Sequence, residues 1–285
     1  MSLHQHDYQI SVMSQDEVQT AVDWAGAEGW NPGLDDPASF YAADSQGFLI
    51  GKLNGQPIAS ISAVKYGNSF GFIGLYIVAE PFRHQGYGLQ IWNKALEHLL
   101  GRNIGLDGVV AQQDNYRKSG FRLAHRNIRF AGISKQQKPV AANIVELTSL
   151  GMEILLAYDA GFFPARRDDF LKAWINQPHT HALGIVENGK LAGYGVIRAC
   201  RQGYKIGPLN AESPDLAHEL FNALVGGLPL GADIYLDVPE PNVQARDLAQ
   251  THAMQPVFET ARMYTGDFPN MALDKIFGIT SFELG

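Results

Sequence analysis

The feature that most constrains this chain is an internal repeat with a period close to 134 residues. YQISVMSQDEVQTAVDWA (8–25) aligns with ANIVELTSLGMEILLAYD (142–159), and LIGKLNGQPIAS (49–60) aligns with LGIVENGKLAGY (183–194), both at an offset of 134. Three shorter matches follow in the same order, at offsets of 130 to 134: FIGLY (72–76) with KIGPL (205–209), IGLD (104–107) with IYLD (234–237), and LAHRNIRFAG (123–132) with VFETARMYTG (257–266). Five ordered matches indicate two homologous halves, each of ordinary domain size.

Each half has the same predicted order of elements: strand, helical segment, β-hairpin, strand, helix, strand, short helix and strand. The hairpins turn on Asn-Gly, at Asn54-Gly55 and at Asn188-Gly189, where both residue types tolerate positive φ. This order predicts an α/β fold with a mixed sheet in each half. The polar, proline-containing stretch SKQQKPVAA (134–142) places the boundary between domains 1–138 and 139–285.

Composition excludes several classes of protein. The 285 residues carry a formal net charge of −7 without a long basic run, so we expect no nucleic-acid partner. No apolar run approaches the roughly 20 residues that cross a bilayer, so no membrane partner is expected. The single cysteine, Cys200, forms no intrachain disulfide, which fits a cytoplasmic protein. No HExxH or clustered Cys/His pattern is present, so no metal is expected.

A glycine-containing loop joins a predicted strand to a predicted helix. GFIGLYIVA (71–79) is an apolar run of strand length, and LQIWNKALEHLLG (89–101) has apolar residues on one helical face. The loop FRHQGYG (82–88) between them contains the pattern R-x-x-G-x-G. Its backbone amides precede the N-terminus of the helix, where unpaired N–H groups and the helix dipole favour an anion.

Two interpretations of Arg83, Gly86 and Gly88 are open from this loop alone. They either form an anion site or serve as a helix-start turn with a solvated arginine. In the second half we expect the equivalent position near LAHELF (216–221), which has neither arginine nor glycine, and the helix there starts at Ser213-Pro214. Because the same connection is made without the motif, we favour the anion site in the first half.

The sequence resembles the GNAT superfamily of acetyl-CoA-dependent N-acetyltransferases. LYIVAEPFRHQGYGLQIWNKALEHL (75–99) is similar to the family's fourth strand, pyrophosphate loop and third helix, and NYRKSGF (115–121) is similar to its later Y-x-K-x-G-F motif. The family often has an asparagine several residues before that tyrosine, and the corresponding stretch here, GVVAQQD (108–114), has none. The two-domain layout is similar to bacterial GNAT proteins of the YitH type.

The resemblance implies acetyl-CoA as cosubstrate and assigns roles to residues of the first half. Backbone groups of Ile77 and Val78 would bind the pantetheine arm, and an amide of Tyr76, Ile77 or Val78 would polarise the thioester carbonyl. Tyr116 would be the general acid for the departing thiolate, or a tyrosine packed under the CoA tail. The pyrophosphate would lie on the loop residues Arg83, His84, Gln85, Gly86, Tyr87 and Gly88.

The resemblance further implies direct attack of a primary amine in a ternary complex. Glu80 is the candidate base, although Glu-Pro is also an ordinary surface turn. Trp30, Asp35 and Asp36 are candidates for the site of the small-molecule or peptide acceptor; the aspartates could instead cap helices. The second domain would be a degenerate copy that shapes this site or a homodimer. The alternative is a non-catalytic acyl-CoA-binding or regulatory protein.

Overall fold

The computed structural model describes residues 7–135 and 143–285, and the predicted boundary between residues 138 and 139 lies outside them. The first half forms β1 (Tyr8–Val12), α1 (Gln15–Ala27), α2 (Asp36–Ala43), β2 (Phe48–Leu53), β3 (Gln56–Tyr66), β4 (Phe70–Val78), α3 (Tyr87–His98), β5 (Asn103–Val109), α4 (Gln113–Lys118) and β6 (Arg122–Ile133). The second half forms β7 (Ile144–Glu146), α5 (Met152–Asp159), α6 (Asp168–Trp174), β8 (Thr180–Glu187), β9 (Lys190–Ala199), β10 (Tyr204–Ala211), α7 (Pro214–Gly226), β11 (Asp233–Pro239), α8 (Val243–Thr251), β12 (Gln255–Tyr264) and β13 (Ile276–Gly278). The predicted mixed α/β fold with a repeated order of elements is confirmed.

The two predicted hairpins are present, and their turns have the backbone that Asn-Gly favours. Asn54 and Gly55 have φ of 49° and 82°, and Asn188 and Gly189 have φ of 50° and 74°. They connect β2 to β3 and β8 to β9 as antiparallel pairs. Positive φ at both central residues matches the right-handed twist of the flanking strands, so the turn chemistry sets the hairpin register.

The two halves share one sheet, and each gives one strand to the other. In the described residues the sheet has thirteen strands, twelve of them in the order β1-β2-β3-β4-β5-β12-β6-β11-β10-β9-β8-β7, with β13 paired to β10. β12 from the second half pairs with β5, and β6 from the first half pairs with β11. The two exchanged strands also pair with each other at the centre. The repeats are therefore not independent sheets.

Two buried ion pairs cross between the halves at the exchanged strands. Arg262 of β12 lies directly opposite Asp107 of β5 and donates from Nε and Nη2 at 2.8 and 2.6 Å. Arg129 of β6 lies opposite Asp237 of β11 and donates from the same two atoms, both at 2.7 Å. Arg262 follows Arg129 by 133 residues and Asp237 follows Asp107 by 130, so the pairs are repeat copies of each other.

Helices cover the sheet and bury its apolar side chains. Ile91, Trp92 and Ala95 of α3 are buried in one cluster with the first-half strands, and Leu216 and Leu220 of α7 are buried in another with the second-half strands. These are the helical faces that the apolar spacing predicts. In residues 7–135 and 143–285, no helix is long and apolar enough to cross a bilayer.

We expect Asp237→Asn to destabilise the fold strongly, because it leaves the buried Arg129 guanidinium without its counter-ion. The loss in free energy of unfolding should be about 3 to 5 kcal/mol, measured by urea denaturation. Glu240→Gln is the matched control, since Glu240 pairs with the half-exposed Arg126 of the same strand as Arg129 and should cost less than about 1 kcal/mol. Equal effects of the two variants would contradict a structural role for the crossing pairs.

Candidate functional site

A bulge in β4 opens a gap between β4 and β5. Ser60 of β3 pairs with Ile77 of β4, and Ser62 pairs with Gly74. Between these pairs, Leu75 and Tyr76 of β4 lie opposite the single residue Ile61 of β3. Leu75 has φ of 47°, which is rare for a branched residue in a strand. The parallel pairing of β4 with β5 covers Phe70–Ile73 only, opposite 103–106. Beyond the bulge the two strands diverge.

The gap forms part of a cavity of about 620 Å³ that both halves line. The first half contributes β4, the loop after β4, the end of β5 and α4, and the second half contributes β12 and the segment after β13. Nine of the residues predicted from sequence lie on its wall: Trp30, Tyr76, Ile77, Val78, Arg83, His84, Gly86, Gly88 and Tyr116. Residues that are distant in sequence are therefore brought together in one cleft.

The loop before α3 has a backbone that depends on its glycines. His84 and Gly86 have φ of 62° and 87°, and Gly86 is the N-cap of α3 without a side-chain cap. A Cβ on Gly88 would lie 2.7 Å from Tyr76 Oη and 3.0 Å from Val78 Cγ2, so Gly88 lets α3 approach β4. Gly86 thus provides a positive φ, and Gly88 provides the space for close packing. Residues at the start of α3 line the cavity, where the unpaired amides of a helix N-terminus favour an anion.

The second half makes the same connection differently. β10 ends at Ala211 and α7 begins at Pro214, with Ser213 as N-cap accepting from Leu216 N. The predicted equivalent LAHELF (216–221) lies inside α7 and not in a loop. The correspondence was therefore misplaced by a few residues, because the loop between β10 and α7 is shorter than that between β4 and α3. The predicted helix start at Ser213-Pro214 is present.

Arg83 spans the mouth of the cleft in this structure. Its Nη2 donates to Glu28 Oε1 at 2.5 Å, and its Nε donates to the Val78 carbonyl at 2.8 Å. Glu28 is the C-cap of α1 and also lines the cavity. A guanidinium has five N–H donors, so Arg83 can keep both bonds and still meet an anion with the others.

Tyr116 lies on α4 in an aromatic setting. Its ring centroid is 5.5 Å from Trp92 and 6.5 Å from Phe121. A Cβ on Gly108 of β5 would collide with this ring, so Gly108 makes the space that it occupies. Burial, with a smaller contribution from nearby Tyr76, raises the pKa of Tyr116 to about 12. The phenol therefore keeps its proton at neutral pH.

Trp30 lies on the cavity wall, whereas the two predicted aspartates do not. The Trp30 carbonyl accepts from Arg129 Nη1 at 2.7 Å, which fixes the segment after α1 to the exchanged strand β6. Asp36 is fully buried and accepts from Arg198 Nε at 2.8 Å. Asp35 accepts from His179 Nδ1 at 2.9 Å and lines a separate depression. Both carboxylates pair with second-half side chains, and neither lines this cavity.

Three further predicted residues lie near the loop but outside the cavity lining. Glu80 is exposed in a single 3₁₀ turn after β4. Gln85 Nε2 donates to the Pro81 carbonyl at 2.8 Å, and the Tyr87 ring packs against Tyr8 with centroids 4.8 Å apart. The Gln85 and Tyr87 side chains therefore hold the loop in shape, and the exposed Glu80 is not among the residues that line the cavity.

Sequence reasoning missed every cavity residue that comes from the second half. Phe258 and Thr260 of β12, and Phe282 and Glu283 beyond β13, complete the wall of the cavity. Strand exchange brings β12 beside β5, and no local pattern signals such an exchange. The internal repeat identifies Asp237 as the counterpart of Asp107, but this match indicates only the ion pairs between the halves. It does not indicate the second-half side chains that line the cavity.

The second half contains an equivalent gap, which its own chain fills. β10 has the corresponding bulge, since Ile206 and Leu209 face Ile197 and Gly195 of β9. β10 pairs with β11 through 204–206 only. β13 then lies between them, pairing with β10 at Leu209 and Asn210, and Ile279 N donates to the Asp237 carbonyl at 2.9 Å. Residues 276–279 thus occupy the place that is open between β4 and β5.

The described residues contain no group of three or more His, Cys, Asp or Glu side chains that could hold a metal ion.

Sequence comparison matches both halves to one family. Residues 15–121 match the profile described as "Acetyltransferase (GNAT) family", and residues 155–278 match "Acetyltransferase (GNAT) domain".

Curated relatives and solved structures agree with these matches. Holothin acyltransferase of Pseudoalteromonas sp. (strain SANK 73390) is 32% identical over 95% of this chain and 92% of its own. The uncharacterized N-acetyltransferase YitH of Bacillus subtilis is 22% identical over 82% and 83% of the two chains.

The fold itself recurs in crystal structures. A putative acetyltransferase from Pyrococcus horikoshii has a TM-score of 0.83 at 22% identity over 100% of this chain and 98% of its own. A tandem GNAT protein from the clavulanic acid biosynthesis pathway has a TM-score of 0.63 at 11% identity over 92% and 100%. With both halves matched and a relative above 30% identity over nearly its whole length, this chain belongs to the GNAT acetyltransferase family and is an acyltransferase.

Proposed function

We propose that this acyltransferase moves an acetyl group from acetyl-CoA to a primary amine by direct attack in a ternary complex. The observation that carries the proposal is the convergence of the β4–β5 gap, the loop before α3 and Tyr116 on one cavity. An extended chain of hydrogen-bonding groups can bind the open edge of β4 as an added strand would. An anion at the far end would meet the start of α3.

The residues on this wall fit a CoA thioester. Arg83 and His84 would hold the pyrophosphate with the amides of Gln85 to Gly88, and Ile77 and Val78 would hold the pantetheine arm. The Val78 carbonyl already accepts from Arg83 Nε, so the same residue links the two parts of the site. The acyl carbonyl would accept from an amide of Tyr76, Ile77 or Val78, beyond the bulge that turns this edge of β4 away from β5.

Tyr116 would act on the departing thiolate mainly as a hydrogen-bond donor. Its phenol, with a pKa of about 12, holds its proton more tightly than a thiol near 8.5 does. A full proton transfer to the thiolate is therefore uphill, whereas a charged hydrogen bond stabilises the leaving group at little cost. This refines the acid role that the sequence resemblance implies for Tyr116.

The acceptor would be a small-molecule amine, bound where the second half closes the cleft. By its name, the relative holothin acyltransferase acylates holothin, and the two chains align over nearly their full length. Trp30, Phe258 and Phe282 form aromatic parts of that wall. We propose that domain 1–138 carries acetyl-CoA and that domain 139–285 is a degenerate copy that shapes the acceptor site. The homodimer and the cytoplasmic location stay predictions.

Arg83→Ala should weaken acetyl-CoA binding by about 10- to 150-fold, the equivalent of a charged hydrogen bond worth about 1.5 to 3 kcal/mol. Thermal shift measures this directly, because a ligand that binds only the folded state raises stability by RT ln(1 + [L]/Kd). The matched control is Arg201→Ala. Arg201 has similar exposure and pairs with Asp23 of α1, away from the cleft, so that variant should keep the parent's shift. An unchanged shift in Arg83→Ala would contradict the proposed pyrophosphate site.

Tyr116→Phe should lower kcat by about 10- to 150-fold and leave the KM for acetyl-CoA nearly unchanged, since the phenol acts on charge that develops on sulfur. With a pKa of about 12 the parent phenol stays protonated, so the deficit should be equal at pH 7 and pH 9.5. Thiol release measures the rate. Tyr235→Phe on β11 serves as a control outside the cleft. A raised KM with normal kcat would instead indicate that Tyr116 only packs against the CoA tail.

A further inference from the structure

Glu283 lies after β13, in a segment of the second half that packs against the cleft of the first half. Next to it, the Leu284 carbonyl accepts from Tyr66 Oη of β3 at 3.1 Å. The backbone carbonyl of Glu283 lies so close to Gly74 that a Cβ there would collide with it. Gly74 immediately precedes the β4 bulge, so this contact places Glu283 beside the point where β4 leaves β5.

Glu283 is a buried residue whose carboxylate accepts no hydrogen bond from the described part of the protein. The residue is 2% exposed, and within residues 7–135 and 143–285 neither carboxylate oxygen has a hydrogen-bond partner. It nevertheless lines the cavity. A buried carboxylate without hydrogen bonds is costly, so a native structure that retains one points to a ligand that supplies the bonds.

The other carboxylates on the cavity wall are already engaged. Glu28 accepts from Arg83, and Asp107 accepts from Arg262 and from Asn127 Nδ2. The predicted base Glu80 is exposed and outside the wall. Among the acidic residues that line the cavity, Glu283 is therefore the one whose carboxylate oxygens have no hydrogen-bond partner within residues 7–135 and 143–285.

Three cations lie near Glu283, and each is bound by another group. These are Arg129 of β6, Arg198 of β9 and Lys205 of β10. The charge of Glu283 adds to the carboxylates that raise the pKa of the two arginines, whereas burial lowers the pKa of Lys205 and Glu283 only opposes that effect. Each already has another partner: Arg129 pairs with Asp237, Arg198 pairs with Asp36, and Lys205 Nζ donates to the carbonyls of Trp30 and Asn31. With Asp36 and Asp237, Glu283 balances the three cations.

The surroundings of Glu283 in the cavity suit a flat, amine-bearing molecule. Trp30, Phe258 and Phe282 are aromatic wall residues, and the Phe282 ring lies 4.8 Å from the Arg129 guanidinium carbon, which holds it in place. Thr260 Oγ1 on the same wall is buried and, in the part of the chain that the structure describes, has no partner. The wall thus offers stacking surfaces, one hydroxyl and one carboxylate.

We propose that Glu283 binds the acceptor amine of an aromatic or flat-ring substrate and takes its proton during attack. This rests on the proposed acetyl transfer. As attack begins, the bound ammonium passes one proton to the Glu283 carboxylate, its nitrogen forms a bond to the acyl carbon, the carbon–sulfur bond breaks, and the second proton that the nitrogen loses passes to water. The thiolate leaves and takes a proton from water, and Glu283 later releases its proton to water, so the products are the amide and CoA thiol.

The test is acetyl transfer by the full chain to benzylamine, 2-phenylethylamine, tyramine and aniline, followed by thiol release. We expect the parent to acetylate at least one of them and Glu283→Gln to lower kcat/KM about 100-fold or more. The deficit should shrink between pH 7 and pH 10, as the alkyl amines deprotonate in solution. Glu283→Asp should recover part of the rate. All variants should keep the parent's thermal shift with acetyl-CoA.

Two controls separate this role from general disturbance of the cleft. Glu259→Gln alters the half-exposed neighbour of Thr260 that pairs with Arg126, and it should leave the rate within twofold of the parent. Glu80→Gln tests the competing base; a loss there with normal Glu283→Gln activity would overturn the proposal.

Other outcomes are equally decisive. If Glu283→Gln unfolds or loses the acetyl-CoA shift, Glu283 is a structural counter-ion and the proposal is overturned. If its deficit is the same at pH 7 and pH 10, Glu283 is not the base. If the parent binds acetyl-CoA but acetylates none of the four amines, the acceptor class is wrong while the proposed function stands. If the parent shows no shift with acetyl-CoA, the proposed function fails first.

Discussion

The reciprocal pairs Arg129–Asp237 and Arg262–Asp107 are the interactions on which the rest of the structure depends. Each joins an exchanged strand to the half that received it, directly across the ladder and out of water. A shift of either strand would leave a buried guanidinium unpaired, so the pairs hold the register of the sheet centre. That register places β12 beside β5 and thereby gives the acyltransferase cleft a wall from the other half. Stability and site geometry are therefore coupled through the same four residues.

The two halves have kept one architecture and put it to different uses. Both contain a bulge that separates two parallel strands, at Leu75-Tyr76 in β4 and at Gly207-Pro208 in β10. In the first half the gap opens onto a glycine loop and an uncapped helix. In the second half β13 fills the gap, and Ser213 caps the helix. We propose that acyl-CoA binding belongs to the first half for this physical reason: the second half has already satisfied its free strand edges with its own chain.

Much of this could be predicted from sequence because it is local. The Asn-Gly turns, the apolar face of α3, the loop before it and the repeat itself all follow from short-range patterns. The strand exchange could not be predicted, because β6 and β12 are repeat copies of each other. The sequence pattern of either strand is compatible with pairing to β5 or to β11, so it does not indicate which neighbour each strand has. The pairing of Asp35 with His179 and of Asp36 with Arg198, and the place of Glu283 on the cavity wall, could not be predicted for the same reason, because each depends on residues far away in sequence. The aspartates resembled acceptor ligands but pair with the second half, whereas Glu283, overlooked near the end of the second half, lines the cleft.

The central claim is that each chain has one working acyl-CoA site, in the β4–β5 gap, and that residues 276–279 close the second. Isothermal titration calorimetry with acetyl-CoA tests this most directly through the binding stoichiometry. The account predicts one molecule bound per chain, with a single affinity. Two molecules per chain would show that β13 leaves the gap between β10 and β11 so that acetyl-CoA binds there. That result would contradict the division of roles between the halves.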